Sequence, residues 1–118
     1  GKALSDFIEE WQAKGEWRIW EIEGELAGIT FHIETAPSNG KPWLGTILVN
    51  KSMRGKGIAR SMIQSLSREL KDKGYSALFA GIPISQYTWA EFVSRCGFEQ
   101  LKTEISDEVT YLILIRPL

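Results

Sequence analysis

Ten residues near the middle of the chain, Lys51 to Arg60 ("KSMRGKGIAR"), constrain the fold more than any other stretch. An apolar, β-branched run, "TILV", precedes them. An amphipathic pattern follows, with Ile58, Met62, Ile63, Leu66 and Leu70 along one helical face. The order is therefore strand, glycine loop, helix. A loop that only reverses direction has no need of Gly55 and Gly57 together with Lys51, Arg54, Lys56 and Arg60. At a helix start the first backbone N–H groups lack partners, and the helix dipole favours negative charge. The combination predicts a cradle for a ligand that carries phosphate.

The charge distribution supports that reading. The chain has 118 residues and a net charge of −1. Residues 1–50 hold eight acids and four bases, a balance of −4; residues 51–75 hold two acids and seven bases, +5; residues 76–118 hold five acids and three bases, −2. One short basic segment in an acidic chain suits a small polyanion better than nucleic acid, and no nucleic-acid partner is expected. The length suits one domain over residues 1–118 with a core of its own. No apolar run approaches the ~20 residues of a membrane span, so no membrane association is expected. Cys96 is the single cysteine, which rules out an internal disulfide and suits a reducing, cytoplasmic setting.

Periodicity gives the remaining elements. Leu4, Phe7, Ile8 and Trp11 share one face, which predicts a helix over 3–14. "WRIWEIEG" and "LAGITFHIE" read as strands joined at Glu23-Gly24-Glu25 in a hairpin. "APSNGKP" is a loop, and "WLGTILVN" a buried strand. The helix from Ile58 should stop near Gly74. "YSALFAGIP" is a strand, and "QYTWAEFVSRCGF" a second helix ending at Gly97 with Trp89, Phe92, Val93 and Cys96 inward. "FEQLKTEI" and "VTYLILIRP" form a last hairpin around Ser106-Asp107-Glu108. The order α-β-β-β-α-β-α-β-β predicts an α/β (α+β) fold with a mixed, mostly antiparallel central sheet flanked by helices.

Two familiar phosphate loops fail at named positions. A P-loop needs G-x-x-x-x-G-K-[ST]; Gly55 and Gly57 are too close, and no Gly-Lys-Ser/Thr follows. A dinucleotide fingerprint needs G-x-G-x-x-G, and Arg60 stands where the third glycine belongs. A third pattern fits. Arg54-Gly55-Lys56-Gly57-Ile58-Ala59 reads R-x-x-G-x-A, with Val49 five residues before the arginine. This resembles the acetyl-CoA pyrophosphate loop of the GCN5-related N-acetyltransferase family. Cys96-Gly97-Phe98 also resembles that family's "x-G-F" before its last hairpin.

The resemblance implies a cofactor and a reaction. The cofactor is acetyl-CoA, its pyrophosphate bound by the backbone from Arg54 through Gly55, Lys56, Gly57, Ile58 and Ala59 to Arg60. The strand before the loop splays from the next one, and the pantetheine arm lies along Ile47, Leu48 and Val49. The N–H of Leu48 or Val49 is the implied oxyanion donor. The reaction is direct transfer of the acetyl group to the amine of a small molecule or peptide.

The chain departs from the family pattern at the implied acid. Val93 stands where a tyrosine is usual, Gln86 replaces an asparagine, and Trp89 a small alanine. Tyr87 is the preferred substitute among Ser85, Tyr87, Ser94 and Tyr111. For the base, "FHIE" puts His32 and Glu34 on one strand face. Either is also at home in a plain surface or structural role. One or two of Trp11, Trp17, Trp20 and Trp43 would line an acceptor pocket beside Glu21, Glu23 or Glu34, suiting a cationic amine. No metal site is expected. The short N-terminal region leaves the acceptor site incomplete, and a homodimer is one way to complete it. The departure at Val93 keeps a second reading open: a CoA-binding regulatory or interaction domain without chemistry.

Overall fold

Strand alternation and two tight turns set the architecture. A computed structural model describes residues 15–118; the helix expected over 3–14 lies outside the described residues. β1 (Glu16–Ile22) and β2 (Glu25–Ile33) form an antiparallel hairpin. Its turn residues Glu23 and Gly24 both have positive φ, the twist that matches two strands joined by a two-residue loop. β3 (Trp43–Val49) pairs antiparallel with β2. α1 (Ile58–Asp72), β4 (Ala77–Pro83) and α2 (Tyr87–Arg95) follow, and β5 (Glu99–Ser106) and β6 (Val109–Pro117) close the chain with a second hairpin. The sheet order is β1-β2-β3-β4-β6-β5. Among the described strands only the β3–β4 pair is parallel. Among the described residues, the six strands and two α-helices lie in the segments expected for them, and two 3-10 turns, Lys51–Met53 and Ile84–Gln86, are additional.

Both helices cover the same face of the sheet. Ala59, Met62, Ile63, Leu66 and Leu70 of α1 and Ala90, Val93 and Cys96 at α2 pack on Leu44, Ile47, Leu78, Ala80, Ile82, Leu112 and Leu114. Burying one such leucine or isoleucine contributes about 1.5–3 kcal/mol, so this layer dominates stability. Trp89 and Phe92, expected inward, are only half-buried and stack on each other with ring centroids 5.1 Å apart. The opposite face carries a smaller cluster of Ile33, Ala36, Trp43, Phe79 and Ile113.

The Gly97-Phe98 pair is a helix stop. The Gly97 N–H donates to the Ser94 carbonyl at 3.2 Å and the Phe98 N–H to the Val93 carbonyl at 3.4 Å. Gly97 has φ +96. Phe98 and Val93 are both buried, so the apolar contact that accompanies this cap is present. Arg116 secures the same corner by donating from Nε to the Cys96 carbonyl at 3.2 Å.

Candidate active site

The loop after β3 is tied down by a residue to which the sequence reading gave no role. The Asn50 N–H donates to the Ala27 carbonyl, and its Nδ2 donates to the Leu26 carbonyl, both at 2.8 Å. Its Oδ1 accepts from the Ser52 N–H at 3.2 Å and from the Ser52 hydroxyl at 3.1 Å. One turn of 3-10 helix, Lys51–Met53, results. Arg54 Nε donates to the Val49 carbonyl at 3.4 Å, which connects the first arginine of the motif to its valine.

Gly55 and Gly57 have φ of +81 and +73, so the backbone enters α1 through two left-handed residues. A Cβ at either would meet nothing within 4 Å. Glycine is therefore required here by dihedral angle, and the space above the loop is open. The first helical bond runs from the Ser61 N–H to the Gly57 carbonyl at 3.1 Å. The N–H groups of Ile58, Ala59 and Arg60 consequently have no helical acceptor. No side chain caps this end, and no acid stands in the first turn. Exposed Lys51, Arg54, Lys56 and Arg60 surround it. The arrangement fits a pyrophosphate: bare donors, open space and positive charge.

A cleft opens beside the loop. β3 and β4 pair only at Trp43–Phe79 and Leu44–Ala80, then diverge. The gap is lined by Leu44, Gly45, Thr46, Ile47, Ala80, Gly81, Ile82, Trp89 and Val93. Phe31 pairs with Thr46 and His32 with Leu44, so Gly45 is an extra residue in β3. A Cβ on Gly45 would lie 2.9 Å from Phe31 Cδ1. An isolated glycine in a strand is a sequence signal for such a bulge. Of the implied pantetheine strand, Ile47 lines the cleft. Leu48 and Val49 continue β3 between the lining and the loop, with Leu48 56% exposed.

The structure places the acid–base candidates His32 and Glu34 away from the described lining of this cleft. His32 is 3% exposed and faces the C-terminal half of α1. Its Nε2 is 3.8 Å from Glu16 Oε2, and its Nδ1 is buried without a partner. Burial pushes its pKa down, with Glu16 opposing. Glu34 Oε1 accepts from Lys73 Nζ of the α1 terminus at 2.9 Å. Both residues belong to a charge cluster that also holds Arg18 and Glu69, paired through Nη1–Oε2 at 2.6 Å and Nη2–Oε1 at 3.2 Å. Parity was right, since His32 and Glu34 do share a face, but that face is the one α1 covers.

The other candidates are dispersed. Tyr87 is the first residue of α2 and 57% exposed; it does not line the cleft. Ser94 donates to the Ala90 carbonyl at 2.9 Å, and Tyr111 is half-buried opposite Pro83. Cys96 is buried, and burial pushes its thiol pKa up, away from nucleophilic behaviour. Among the described lining residues no side chain titrates. Trp20 donates from Nε1 to Thr30 Oγ1 at 2.8 Å with the Arg18 guanidinium over its ring, and Trp43 stacks on Phe79. Trp17 alone of these three is exposed, its ring tilted on Phe31, which itself abuts Gly45. Trp11 lies outside the described residues.

The model of the Acetyltransferase (GNAT) family matches residues 2–98 of the chain. The chain belongs to this family. It is 42% identical over 119 residues to the uncharacterized protein YkzC of Bacillus subtilis (strain 168), covering 99% of this chain and 83% of that protein. Its fold is similar to that of an IAA acetyltransferase from Bacillus cereus ATCC 14579, with a TM-score of 0.70 and 21% identity over 94% of this chain and 83% of the other. It is similar too to a Bacillus subtilis acetyltransferase in complex with CoA, with a TM-score of 0.71 and 18% identity over 98% and 84% of the two chains. A GNAT family acetyltransferase from Elizabethkingia anophelis with acetyl-CoA bound gives a TM-score of 0.71 at 16% identity, over 96% and 82%. Family membership makes the protein an acetyl-CoA-dependent N-acetyltransferase, whose reaction moves an acetyl group to an amine. No described helix is long and apolar enough to cross a membrane.

Proposed function

We propose that this GNAT protein acetylates a primary amine on a small molecule or peptide by direct transfer. One observation carries the reading: the β3–β4 divergence begins at Leu44–Ala80 and opens toward the bare start of α1. One continuous site then holds pyrophosphate and thioester. The backbone N–H groups from Gly55 to Arg60 take the pyrophosphate, with Arg54 and Lys56 adding charge. The unpaired edge of β3 along Ile47, Leu48 and Val49 takes the pantetheine. The bulge at Gly45–Thr46, nearest the pinch, is the better candidate for the oxyanion donor than Leu48 or Val49.

The amine enters from the sheet face opposite the helices, since α1 and α2 close the other. Trp17 and Phe31 stand on that face beside the bulge. A primary amine has a pKa near ~10 and must lose a proton before it attacks. With no titrating side chain in the cleft lining, water accepts that proton, and Tyr87 is the phenol nearest in sequence for the leaving thiolate. A second reading rests on the same feature. A lining without an acid or base also suits a domain that binds acetyl-CoA and transfers nothing.

Thiol release from acetyl-CoA, measured against polyamines, amino acids, aminoglycosides and peptides, tests the choice. Release with at least one amine is expected, slowed in Tyr87→Phe without a change in acetyl-CoA affinity. Saturable acetyl-CoA binding with no release across the library would establish the second reading.

A further inference from the structure

β5 is unusual among the strands. It forms one edge of the sheet, and no described strand lies beyond it. Seven of its eight side chains are exposed, on both faces. Leu101 is 52% exposed and Ile105 77%. An edge of this kind presents unpaired N–H and C=O groups and invites another strand.

We propose that this edge pairs antiparallel with β5 of a second copy of the chain, about a twofold axis at Thr103. The pairing joins two six-stranded sheets into one.

The register argument is geometric. Lys102 and Glu104 pair with Ile113 and Tyr111 of β6 and share one face; Thr103 and Ile105 pair with Leu112 and Thr110 and share the other. In an antiparallel pair, residues opposite each other lie on the same face, so the register moves only in steps of two. An axis at Thr103 sets Lys102 of one copy opposite Glu104 of the other, and the twofold makes this contact twice. An axis at Lys102 sets that lysine against itself, and an axis at Glu104 does the same with the glutamate. Opposite charges directly across a pair stabilise it, and like charges destabilise it. The sequence around Thr103 therefore favours one register and opposes its two neighbours.

A lysine and a bulge on an edge are also devices that keep sheets apart. Here Glu104 matches the lysine two residues on. The register shift between Gln100 and Lys102 falls at Leu101, so the charge pattern about the axis rests on the regular residues 102–104. Within one copy Lys102 Nζ already sits 2.8 Å from Glu104 Oε1, so both side chains are extended along the edge.

Sedimentation velocity on the full chain, across ~1–100 μM, tests the proposal. The expected mass rises with concentration from 13.4 kDa toward twice that value. Lys102→Glu and Glu104→Lys should each weaken the dimer about tenfold or more by setting like charges face to face. The double variant, Lys102→Glu with Glu104→Lys, restores opposite charges at both contacts and should restore the dimer. Circular dichroism and the acetyl-CoA melting shift verify that each variant folds. Three results overturn the proposal: a monomer at every concentration, a dimer indifferent to the single changes, or a double variant that stays monomeric. None of them bears on acetyl transfer.

Discussion

The two ends of α1 are built on opposite plans. At its start the helix has left-handed Gly57, no capping side chain, no acid in the first turn and open space above the loop. At its end the polar groups are matched. The Gly74 N–H donates to the Lys71 carbonyl at 2.9 Å and the Tyr75 N–H to the Leu70 carbonyl at 3.1 Å. Glu69 holds Arg18 of β1, and Lys73 holds Glu34 just after β2. The difference teaches where binding and stability reside in one element. Donors left unmatched in reach of solvent suit an anion. Groups matched across the sheet fix the helix so that those donors stay aimed.

Three experiments can break this contrast, the largest effect first. Gly57→Glu should weaken acetyl-CoA binding roughly 100-fold or more, because it sets a negative charge beside the phosphates. The fold should survive at a cost of about 1 kcal/mol for a side chain at positive φ, since a Cβ there meets nothing within 4 Å. Calorimetric titration reads the loss, and Gly57→Ala separates strain from charge. Equal affinity in the Glu variant would show that the loop does not carry the phosphates.

Glu69→Gln at the other end should do the reverse. It removes the ionic partner of Arg18 and should cost about 0.5–1 kcal/mol in denaturant unfolding; the carboxylate side chain is 39% exposed, so solvent screens the pair. The affinity for acetyl-CoA should change less than twofold. A large affinity loss would mean that the two ends are not independent.

The smallest effect concerns pH. Burial holds the His32 pKa below its ordinary 6.5, with Glu16, Glu34 and Glu69 opposing and Arg18 reinforcing. As pH falls through that ordinary value, the unfolded chain takes up a proton that the folded chain resists. Stability is therefore full above about pH 6.5 and declines below it. The Glu69 carboxyl, held low by Arg18, loses its contribution only in more acid solution. Melting temperatures between pH 7 and 5.5 should slope in the native chain and slope less in His32→Gln. Parallel slopes would assign the acid sensitivity to another group.

Much of the molecule was legible in its residues. Alternating runs and short continuous apolar runs gave the described strands, and period-3.6 runs gave both described helices. The R-x-x-G-x-A loop was readable because its mechanism is local: two positive-φ glycines, a helix start and nearby bases lie within seven residues. Gly97-Phe98 was readable for the same reason, although its work in this structure is to end α2 and not to touch the cleft. The position of His32 and Glu34 relative to the cleft was not legible, for a reason of another kind. A strand's alternation says which side chains share a face and is silent on which face a distant helix will cover. The bulge at Gly45 had only a faint signal, one glycine in an apolar run, because a bulge exists only relative to a partner strand.

By itself, then, the sequence determined the elements, their order and the basic, two-glycine entry to α1 over residues 54–60, since each follows from dihedral preference and charge within a few residues. Tertiary structure alone decided that β3 and β4 part after Leu44–Ala80, that the described residues line the cleft between them without a titrating side chain, and that His32 lies under α1. Those outcomes depend on how α1 and α2 settle on one side of the sheet, a competition among buried surfaces far apart in the chain.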